Sequence, residues 1–328
     1  MCQRPGGVSP RKPRNRRRQT PGDWTSLPAM SARSSRIGQV RELLRYPVKS
    51  MAGESVAESR VARRLGLAGD RAWALRDLAA HEIRGAKKIP ALLDCAARYL
   101  EEPRGEASAR VEIDLGELGR VNSDDPDVSA RISQRVGRDV RLCPRVPASE
   151  AEHYRRTEPI TDMEAEIREG SALLPEEPLP NLENVPADLS IVSEYVSPPG
   201  TYFDFFDIHL LSEQSLASLA DRAPGSQIDK RRFRPNLLVE LEAPSGTQAD
   251  WPEFALVGRT LAIGEAEFEI VMPMMRCVMT THAQRGLPKD PSIMRTLVRE
   301  SGMNLGVGAQ VHKPGQIRVG DEIRICER

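Results

Sequence analysis

The sequence predicts a β-rich α+β protein in which two domains are built on β-barrels. Apolar residues recur in short runs that are typical of strands, at 37–44, 109–115, 236–241, 261–271 and 316–325. Helical spacing is confined to three segments. With 328 residues, the chain is long enough for two domains. We therefore expect an N-terminal β-barrel-like domain and a second β-barrel that carries the few helices.

Each of the three helical segments shows a sequence feature typical of helices: an apolar face, an N-terminal cap or a C-terminal glycine. Residues 127–136 follow an Asp-Pro pair and carry apolar residues four apart, from Val128 to Ile132. Residues 212–220 begin with Ser212, a residue type that caps helix N-termini. Residues 291–301 end before Gly302, which is typical of a helix C-terminus. In the last strand run, Gly320-Asp321 predicts a turn between two strands.

Charge is distributed unevenly along the chain. The 47 Lys and Arg residues balance the 47 Asp and Glu residues. Residues 1–36, however, hold nine of the bases and one acid, which leaves 38 bases and 46 acids for the rest. An acidic body is not the electrostatic footprint of a nucleic-acid-binding domain, so we expect no nucleic acid bound by the folded part. No run of about 18 apolar residues predicts a transmembrane segment.

The domain limits follow from composition. Residues 1–35 are rich in Arg, Pro, Gly and Ser without apolar periodicity, which predicts a disordered basic tail. An organellar presequence and an over-extended gene start, with Met30 as the true initiator, remain alternatives. A Pro-rich stretch over 145–199 reads as a long connection between halves. We therefore predict an N-terminal barrel domain over 36–160 and a second domain over 161–328.

Cysteine and histidine spacing argues against several metal sites. Five cysteines at positions 2, 95, 143, 277 and 326 form no C-x-x-C pair, and their number is odd. This argues against a disulfide framework, a zinc knuckle and a cysteine-ligated iron–sulfur cluster, and it favours the reducing cytoplasm. Arg276 directly precedes Cys277, and a neighbouring guanidinium favours a thiolate, the form that attacks or binds metal. The alternative for any lone cysteine is a small buried apolar residue.

Basic and polar residues cluster at the ends of predicted elements. They lie in YPVKS (46–50), GLAGDR (66–71), RRFRPN (231–236) and PMMRCVMTT (273–281). Lys and Arg beside hydroxyl groups and turns form a suitable cradle for a phosphate-bearing ligand. No P-loop, nucleophile elbow or zincin motif is present.

The order of these fragments resembles the MOSC-domain family. The matching pieces are Y46-P-V-K-S-M, then G66-L-A-G-D-R-A-W, R231-R-F-R-P-N, R276-C-V-M-T-T and G315-Q-I-R-V-G-D. Together they are similar to the two-domain branch with a MOSC N-terminal β-barrel domain, which includes the amidoxime-reducing components. The resemblance runs from about residue 37 to residue 325.

The resemblance implies a molybdenum cofactor and a set of residues that hold it. Cys277 would be the metal ligand and catalytic residue, through a soft thiolate that suits molybdenum. The other cofactor-binding candidates, drawn from both halves of the chain, are Lys49, Ser50, Arg71, Arg234, Asn236, Arg276 and Thr280. The site would then lie between the two halves.

The resemblance further implies an oxidoreductase that reduces N-hydroxylated or other N–O compounds. Because no ferredoxin-like domain follows the barrel, we expect electrons from a separate flavin, haem or iron–sulfur protein. The alternative is a sulfur or cofactor carrier that uses Cys277 without reductase turnover. No pyridoxal phosphate is expected, since its domain is missing. Met275 and the segment 282–297 depart from the family pattern, so substrate choice is not carried over. A third alternative is a non-enzymatic scaffold whose tail binds nucleic acid or a membrane surface.

Overall fold

The computed structural model describes residues 35–181, 189–242 and 250–326. The predicted tail therefore lies, except for residue 35, outside the described residues. The strands in these ranges are β1 (Arg36–Arg45), β2 (Glu54–Val56), β3 (Glu58–Ala62), β4 (Gly66–Leu67), β5 (Trp73–Asp77), β6 (Glu82–Arg84), β7 (Ala96–Tyr99), β8 (Val111–Asp114), β9 (Arg120–Asn122), β10 (Val140–Pro144), β11 (Ile208–Ser212), β12 (Leu237–Leu241), β13 (Thr260–Ile263), β14 (Ala266–Met275), β15 (Asn304–Lys313), β16 (Gly315–Arg318) and β17 (Glu322–Ile325). The α-helices are α1 (Val128–Val136), α2 (Met163–Ser171), α3 (Leu189–Glu194), α4 (Glu213–Arg222) and α5 (Ser292–Ser301).

A closed barrel organises the C-terminal part of the chain. Its strand order is β12-β11-β15-β14-β13-β17-β1, and a further pairing of β1 with β12 closes the ring. Only the β11–β12 pair is parallel among these neighbours. The interior is filled by apolar side chains of both ends of the chain, for example Leu43, Leu237 and Ile323, each fully buried. The predicted β-rich barrel class is confirmed.

Three small sheets lie outside the barrel. Their orders are β10-β5-β6, β7-β8-β9 and β16-β3-β4. The first two, with α1, enclose a second apolar cluster that includes Val48, Met51, Leu75 and Ile132. In the third, β16 from the C-terminal end pairs with β3. The N-terminal β1 likewise belongs to the barrel, so the two ends of the chain share sheets. The domain limits at 160/161 stay a prediction.

The predicted helices are confirmed as α1, α4 and α5. Ser212 caps α4 by accepting a hydrogen bond from the Ser215 amide at 3.0 Å, and Gly302 ends α5 in the left-handed conformation. The run 261–271 is a hairpin, β13–β14, that turns at Gly264 with φ +55°. The Gly320-Asp321 turn exists, but β16 and β17 join different sheets and do not pair with each other.

A helix lies within the stretch that the sequence predicts to be a connection. Asp162 caps α2 by accepting from the Ala165 amide at 2.9 Å. Ile167 of α2 packs with Met294 and Met303, close to the C-terminal barrel. Its Pro-rich surroundings and its small number of apolar residues hid this helix from a periodicity argument. Among the described residues, no helix is long and apolar enough to cross a bilayer.

Candidate functional site

The candidate site lies where β1 ends and β12 begins. These strands are antiparallel neighbours, with Leu43 opposite Leu237, so the segment after β1 and the segment before β12 meet at one edge of the barrel. The Tyr46 hydroxyl donates to the Pro235 carbonyl at 3.0 Å across this junction. The segment after β14 lies at the same edge, because the Arg276 guanidinium donates to the Phe233 carbonyl, in the segment before β12, at 2.7 Å.

The ring of Tyr46 is a platform for two guanidinium groups. The Arg234 guanidinium lies 4.1 Å from the ring centroid and that of Arg71 lies 5.0 Å away. Burial raises the pKa of Tyr46 to about 12, although Arg234 and Arg71 oppose the rise. The phenol is therefore neutral at pH 7, and the cation–π contacts hold both arginines side by side.

Three of the candidate residues have strained backbones. Ser50, Arg71 and Arg234 have φ of +71°, +48° and +54°. The left-handed region is unfavourable for residues with a side chain, by about 1 kcal/mol or more, and it persists only where the surroundings impose it. Such strain concentrates at functional sites, and here it turns the arginine side chains of two separate loops toward the same ring.

A buried carboxylate ties these loops together. Asp70 accepts from the Tyr46 amide at 2.7 Å and from the Asn236 side chain at 2.9 Å, and it forms an ion pair with Arg71. Asn236 also accepts from the His209 amide at 3.1 Å. All the polar atoms of the Asn236 side chain thus have partners within the protein. Asn236 positions the loops rather than facing an open space.

Two buried guanidinium nitrogens lack partners among the described residues. Arg234 donates from Nη1 to the Met51 carbonyl at 2.7 Å, but its Nη2 has no acceptor. Arg276 donates from Nη2 to Phe233, but its Nε has none. Burial, together with the charge of Arg71, lowers the pKa of Arg234 to about 10, so it stays charged at pH 7. Each unpaired buried donor costs about 1–3 kcal/mol unless a ligand accepts from it.

Cys277 is half-buried and follows Arg276 at the start of a 3₁₀ turn, Val278–Thr281. The Cys277 carbonyl accepts from the amide and the hydroxyl of Thr280, both at 3.1 Å. Thr280 is fully buried and its hydroxyl is used in this turn. Arg232 supports the turn from behind by donating to the Thr280 carbonyl at 3.2 Å. Thr280 and Arg232 therefore fix the backbone that presents the thiol.

Lys49 is buried, and its ammonium group already has three acceptors. They are the Tyr202 carbonyl at 2.8 Å, Asp204 at 2.5 Å and the Ser197 hydroxyl at 3.4 Å. Burial lowers the pKa of Lys49. The nearby Asp204 charge raises it, but by less than burial lowers it. Lys49 therefore holds the 197–204 segment at the site.

Asp204 is a site residue that sequence reasoning missed. Surrounding protein raises the pKa of Asp204, but the Lys49 ammonium outweighs this, so the net shift is downward. The Asp204 side chain is 78% exposed, and we therefore treat it as an ionised carboxylate that water reaches. A single acid between aromatic residues, in Y202-F-D-F-F, carries no motif that could have identified it.

The structure brings five of the eight candidates to one place: Lys49, Arg71, Arg234, Arg276 and Cys277. The charges of Asp204, Arg71 and Cys277 all affect the pKa of Arg276, which burial lowers. The Ser50 hydroxyl instead accepts from the Ala86 amide at 2.9 Å. Asn236 and Thr280 bond within the chain. Among the described residues, no three His, Cys, Asp or Glu side chains group as metal ligands.

Comparisons with known proteins agree with this architecture. Residues 37–128 match the MOSC N-terminal beta barrel domain, and residues 201–324 match the MOSC domain. This chain is a MOSC-domain protein with an N-terminal MOSC barrel domain. All five motif fragments named in the sequence analysis lie inside the two matched ranges, so the resemblance seen in the sequence is confirmed.

A curated relative is mitochondrial amidoxime reducing component 2 of Rattus norvegicus, 33% identical over 141 residues. The match covers 37% of this chain and 37% of the relative. Solved structures that this chain matches include the YUAD protein of Bacillus subtilis, with 13% identity, a TM-score of 0.42 and coverage of 89% of this chain and 98% of that chain. YiiM of Geobacillus stearothermophilus has 20% identity, a TM-score of 0.27 and coverage of 38% and 55%.

Proposed function

We propose that the MOSC-domain protein binds the molybdenum cofactor in the cradle beside Cys277 and reduces N-hydroxylated or other N–O compounds. The observation that supports this most strongly is the pair of unpaired donors, Arg234 Nη2 and Arg276 Nε. Buried donors are almost always hydrogen-bonded in native proteins. Arg276 bonds to the carbonyl of Phe233, the residue before Arg234, so both unpaired donors belong to the same cradle and call for an anionic ligand. A pterin phosphate supplies oxygen acceptors of this kind.

The charges of the cradle fit a phosphate group. Lys49, Arg71, Arg234 and Arg276 are cations, whereas Asp70 and Asp204 are the carboxylates in contact with them. The cradle is therefore positive overall before a ligand binds. Arginine is well suited to phosphate because its planar guanidinium donates two parallel hydrogen bonds. Arg234 and Arg276 would hold the phosphate, and Arg71 would add its charge over the Tyr46 ring.

Cys277 completes the fit because it is the half-buried thiol next to these cations. When bound, the cofactor would supply the two-electron chemistry of its metal, to which Cys277 would give a thiolate. The 3₁₀ turn and the buried Arg232 would keep the Cys277 backbone in place. Asp204, held by Lys49, would stay ionised near the substrate.

The reductase activity is supported by the amidoxime-reducing name of the relative, and it requires electrons from a separate flavin, haem or iron–sulfur protein. We place the protein in the cytoplasm, where reducing conditions keep Cys277 free. The second candidate function is a sulfur or cofactor carrier, which the free thiol of Cys277 also favours. Neither function uses pyridoxal phosphate.

Metal analysis of protein made in a cofactor-producing host tests the binding. We expect near-stoichiometric molybdenum in the wild type and a clear loss in Arg234→Gln. The matched control is Arg231→Gln, since Arg231 is exposed and paired with Asp229 at 2.7 Å. Control protein should retain the metal. Absence of molybdenum from the wild type, or equal loss in the two variants, would overturn the assignment of the cradle.

Turnover distinguishes the two candidate functions. With a chemical reductant and an N-hydroxylated amidine, the reductase produces the amidine, and Cys277→Ser should lose this activity. A carrier would instead yield cyanide-labile sulfur on Cys277 and no amidine. The expected result is amidine formation without labile sulfur.

A further inference from the structure

The loop that follows the Cys277 turn carries a short hairpin. Gln284 and Leu287 exchange both backbone hydrogen bonds, at 2.9 and 2.8 Å, so Arg285 and Gly286 form a two-residue tip. Gly286 has φ +75°, a conformation that glycine adopts without strain. The hairpin therefore presents the Arg285 side chain at its tip.

The base of this loop is fixed to the C-terminal barrel. The Asp290 amide donates to the Thr281 carbonyl at 2.8 Å, which closes the loop. The fully buried Arg232 donates to the Thr280 carbonyl at 3.2 Å on one side of the loop and to the Pro288 carbonyl at 2.7 Å on the other. Because both sides of the loop are held, the barrel sets the position of the hairpin.

The tip of the hairpin contacts the N-terminal part of the chain. Arg285 donates from Nη1 and Nη2 to the two carboxylate oxygens of Asp114, at 3.0 and 3.2 Å, and from Nη2 to the Asp94 carbonyl at 3.0 Å. The Gly116 amide donates to the same carboxylate at 2.8 Å. The hydrogen bonds from Arg285 and Gly116 lower the pKa of Asp114, so it is ionised at pH 7. A two-pronged contact of this kind fixes orientation as well as distance, which most exposed ion pairs do not.

Backbone pairing leads from Asp114 across the N-terminal sheets. Asp114 on β8 lies opposite Ala96 on β7, and Ala96 lies opposite Ala52. The Ala52 amide donates to the Cys95 carbonyl, and the Ala52 carbonyl accepts from the Ala97 amide, both at 2.9 Å. We call Ala52, Ala96 and Asp114 the cross-strand row. Its members are tied by main-chain hydrogen bonds, so the row moves as one unit.

Arg234 contacts the other end of the cross-strand row. Met51 directly precedes Ala52, and the Met51 carbonyl accepts from Arg234 Nη1 at 2.7 Å. Two arginines of the C-terminal part, Arg234 and Arg285, therefore hold the row at its two ends. The Nη1 and Nη2 atoms of Arg234 belong to one planar guanidinium. The place of the Met51 carbonyl thus sets where Nη2 points, the atom that lacks a partner among the described residues.

We propose that Arg285 is a positioning residue for the cradle. By holding the cross-strand row, it fixes the Met51 carbonyl and thereby orients Arg234 Nη2 toward an anionic ligand. The proposal rests on the proposed function in taking the cradle as a phosphate site. Arg285 acts through the row, by way of the contacts of Asp114 and Asp94, without touching the ligand.

Binding of pyrophosphate to full-length, cofactor-free protein tests the proposal by calorimetry. We expect Arg285→Gln and Asp114→Asn each to weaken binding about fivefold to tenfold. The double variant should bind no more weakly than Arg285→Gln, because the same contact is already lost. Asp114→Glu keeps the carboxylate and should bind within about twofold of the wild type.

The direction of the Asp114→Asn effect separates position from charge. Removal of a negative charge strengthens anion binding if only the electric field matters, whereas loss of the contact with Arg285 weakens it. Arg120→Gln is the matched control, since Arg120 lies opposite Asp114 on β9 and pairs with Glu112 at 3.3 Å. It removes a cation from the same sheet and should change the affinity less than about twofold. All variants should unfold within about 3 °C of the wild type, because exposed pairs contribute little to overall stability.

The outcomes distinguish this proposal from the proposed function. Binding by Asp114→Asn that is as tight as in the wild type, or tighter, overturns the role of Arg285. Hydrogen exchange at the Ala52 and Ala97 amides is the second measurement, and it decides the matter if the wild type binds no pyrophosphate. Faster exchange in Arg285→Gln and Asp114→Asn, but not in Arg120→Gln, would then show that Arg285 holds the row while the phosphate cradle fails. Unchanged exchange in both variants overturns the proposal whether or not pyrophosphate binds.

Discussion

Arg232 and Arg234 are two residues apart and both are buried, but they have different roles. Arg232 stabilises the fold, whereas Arg234 has a free donor for a ligand. Arg232 is fully buried and its donors reach four carbonyls, those of Gln227, Thr280, His282 and Pro288, at 2.7–3.2 Å. Arg234 reaches one carbonyl and leaves Nη2 without a partner among the described residues. A buried arginine is therefore not itself a sign of a binding site. Unsatisfied donors are the sign, because they have a partner to gain.

The largest expected effect is on stability at Arg232. Arg232→Met would remove a fully buried guanidinium and its hydrogen bonds to four carbonyls, of which the Thr280 carbonyl is buried, so we expect a loss of about 3–5 kcal/mol in the free energy of unfolding. Arg234→Met removes one hydrogen bond together with the unpaired Nη2 donor. It should lower the free energy of unfolding by about 1 kcal/mol or less. Urea unfolding of cofactor-free protein measures both. Equal losses would contradict the distinction between the two arginines.

The second effect concerns anion binding by the cradle. Pyrophosphate should accept from Arg234 Nη2 and Arg276 Nε, and ligand at 100 times its Kd stabilises the folded state by about 2.7 kcal/mol. Thermal unfolding with and without pyrophosphate measures this. Arg234→Gln should lose most of the shift, whereas Arg231→Gln should keep it. If pyrophosphate raises the unfolding temperature of Arg234→Gln as much as that of the wild type, the unpaired donors are not what binds the anion.

Glu253 extends the comparison because it is a buried ionisable group away from the cradle, and it too has an unpaired atom. Its Oε2 accepts from the Ser212 and Ser215 hydroxyls, both at 2.6 Å, and its Oε1 has no partner among the described residues. Burial raises the pKa of Glu253 above its usual 4.5, more than the serine hydrogen bonds lower it. The folded state therefore binds the proton more tightly, and stability should fall as the pH rises above about 4.5.

Glu253→Gln should remove this pH dependence. We expect the unfolding free energy of the wild type to fall between pH 5 and pH 8 and that of the variant to stay nearly constant. Denaturant titrations at the two pH values provide the measurement. Parallel curves for wild type and variant would mean that Glu253 is ionised in the folded protein at both values.

The smallest effect is expected at Asp204. Its pKa is lowered, so its contribution to stability is present above about pH 4 and is lost as the pH falls through the folded-state value. Because the side chain is mostly exposed, water screens the pair with Lys49, and Asp204→Asn should change stability by less than about 1 kcal/mol. Unfolding at pH 7 checks this. A loss of several kcal/mol would show that Asp204 supports the fold rather than the site.

Sequence reasoning predicted the barrel class, three helices and the fragments that meet at the cradle. It succeeded there because strand alternation, helix caps and motif order are local features. It could not separate Arg232 from Arg234, since most of their hydrogen-bond acceptors are distant in sequence, such as Thr280 for Arg232 and Met51 for Arg234. The same holds for Lys49, whose acceptors come from residues 197–204. Sequence reasoning missed helix α2 because a helix with few apolar residues in a Pro-rich stretch has little periodic signal.

The central claim is that the cradle and Cys277 together hold molybdenum. X-ray absorption at the molybdenum edge, on wild-type protein and on Cys277→Ser made in a cofactor-producing host, tests it most directly. The account predicts one fewer sulfur neighbour of the metal in Cys277→Ser, with Arg231→Gln identical to the wild type. The same number of sulfur neighbours in wild type and Cys277→Ser would contradict the assignment of Cys277 as the protein ligand.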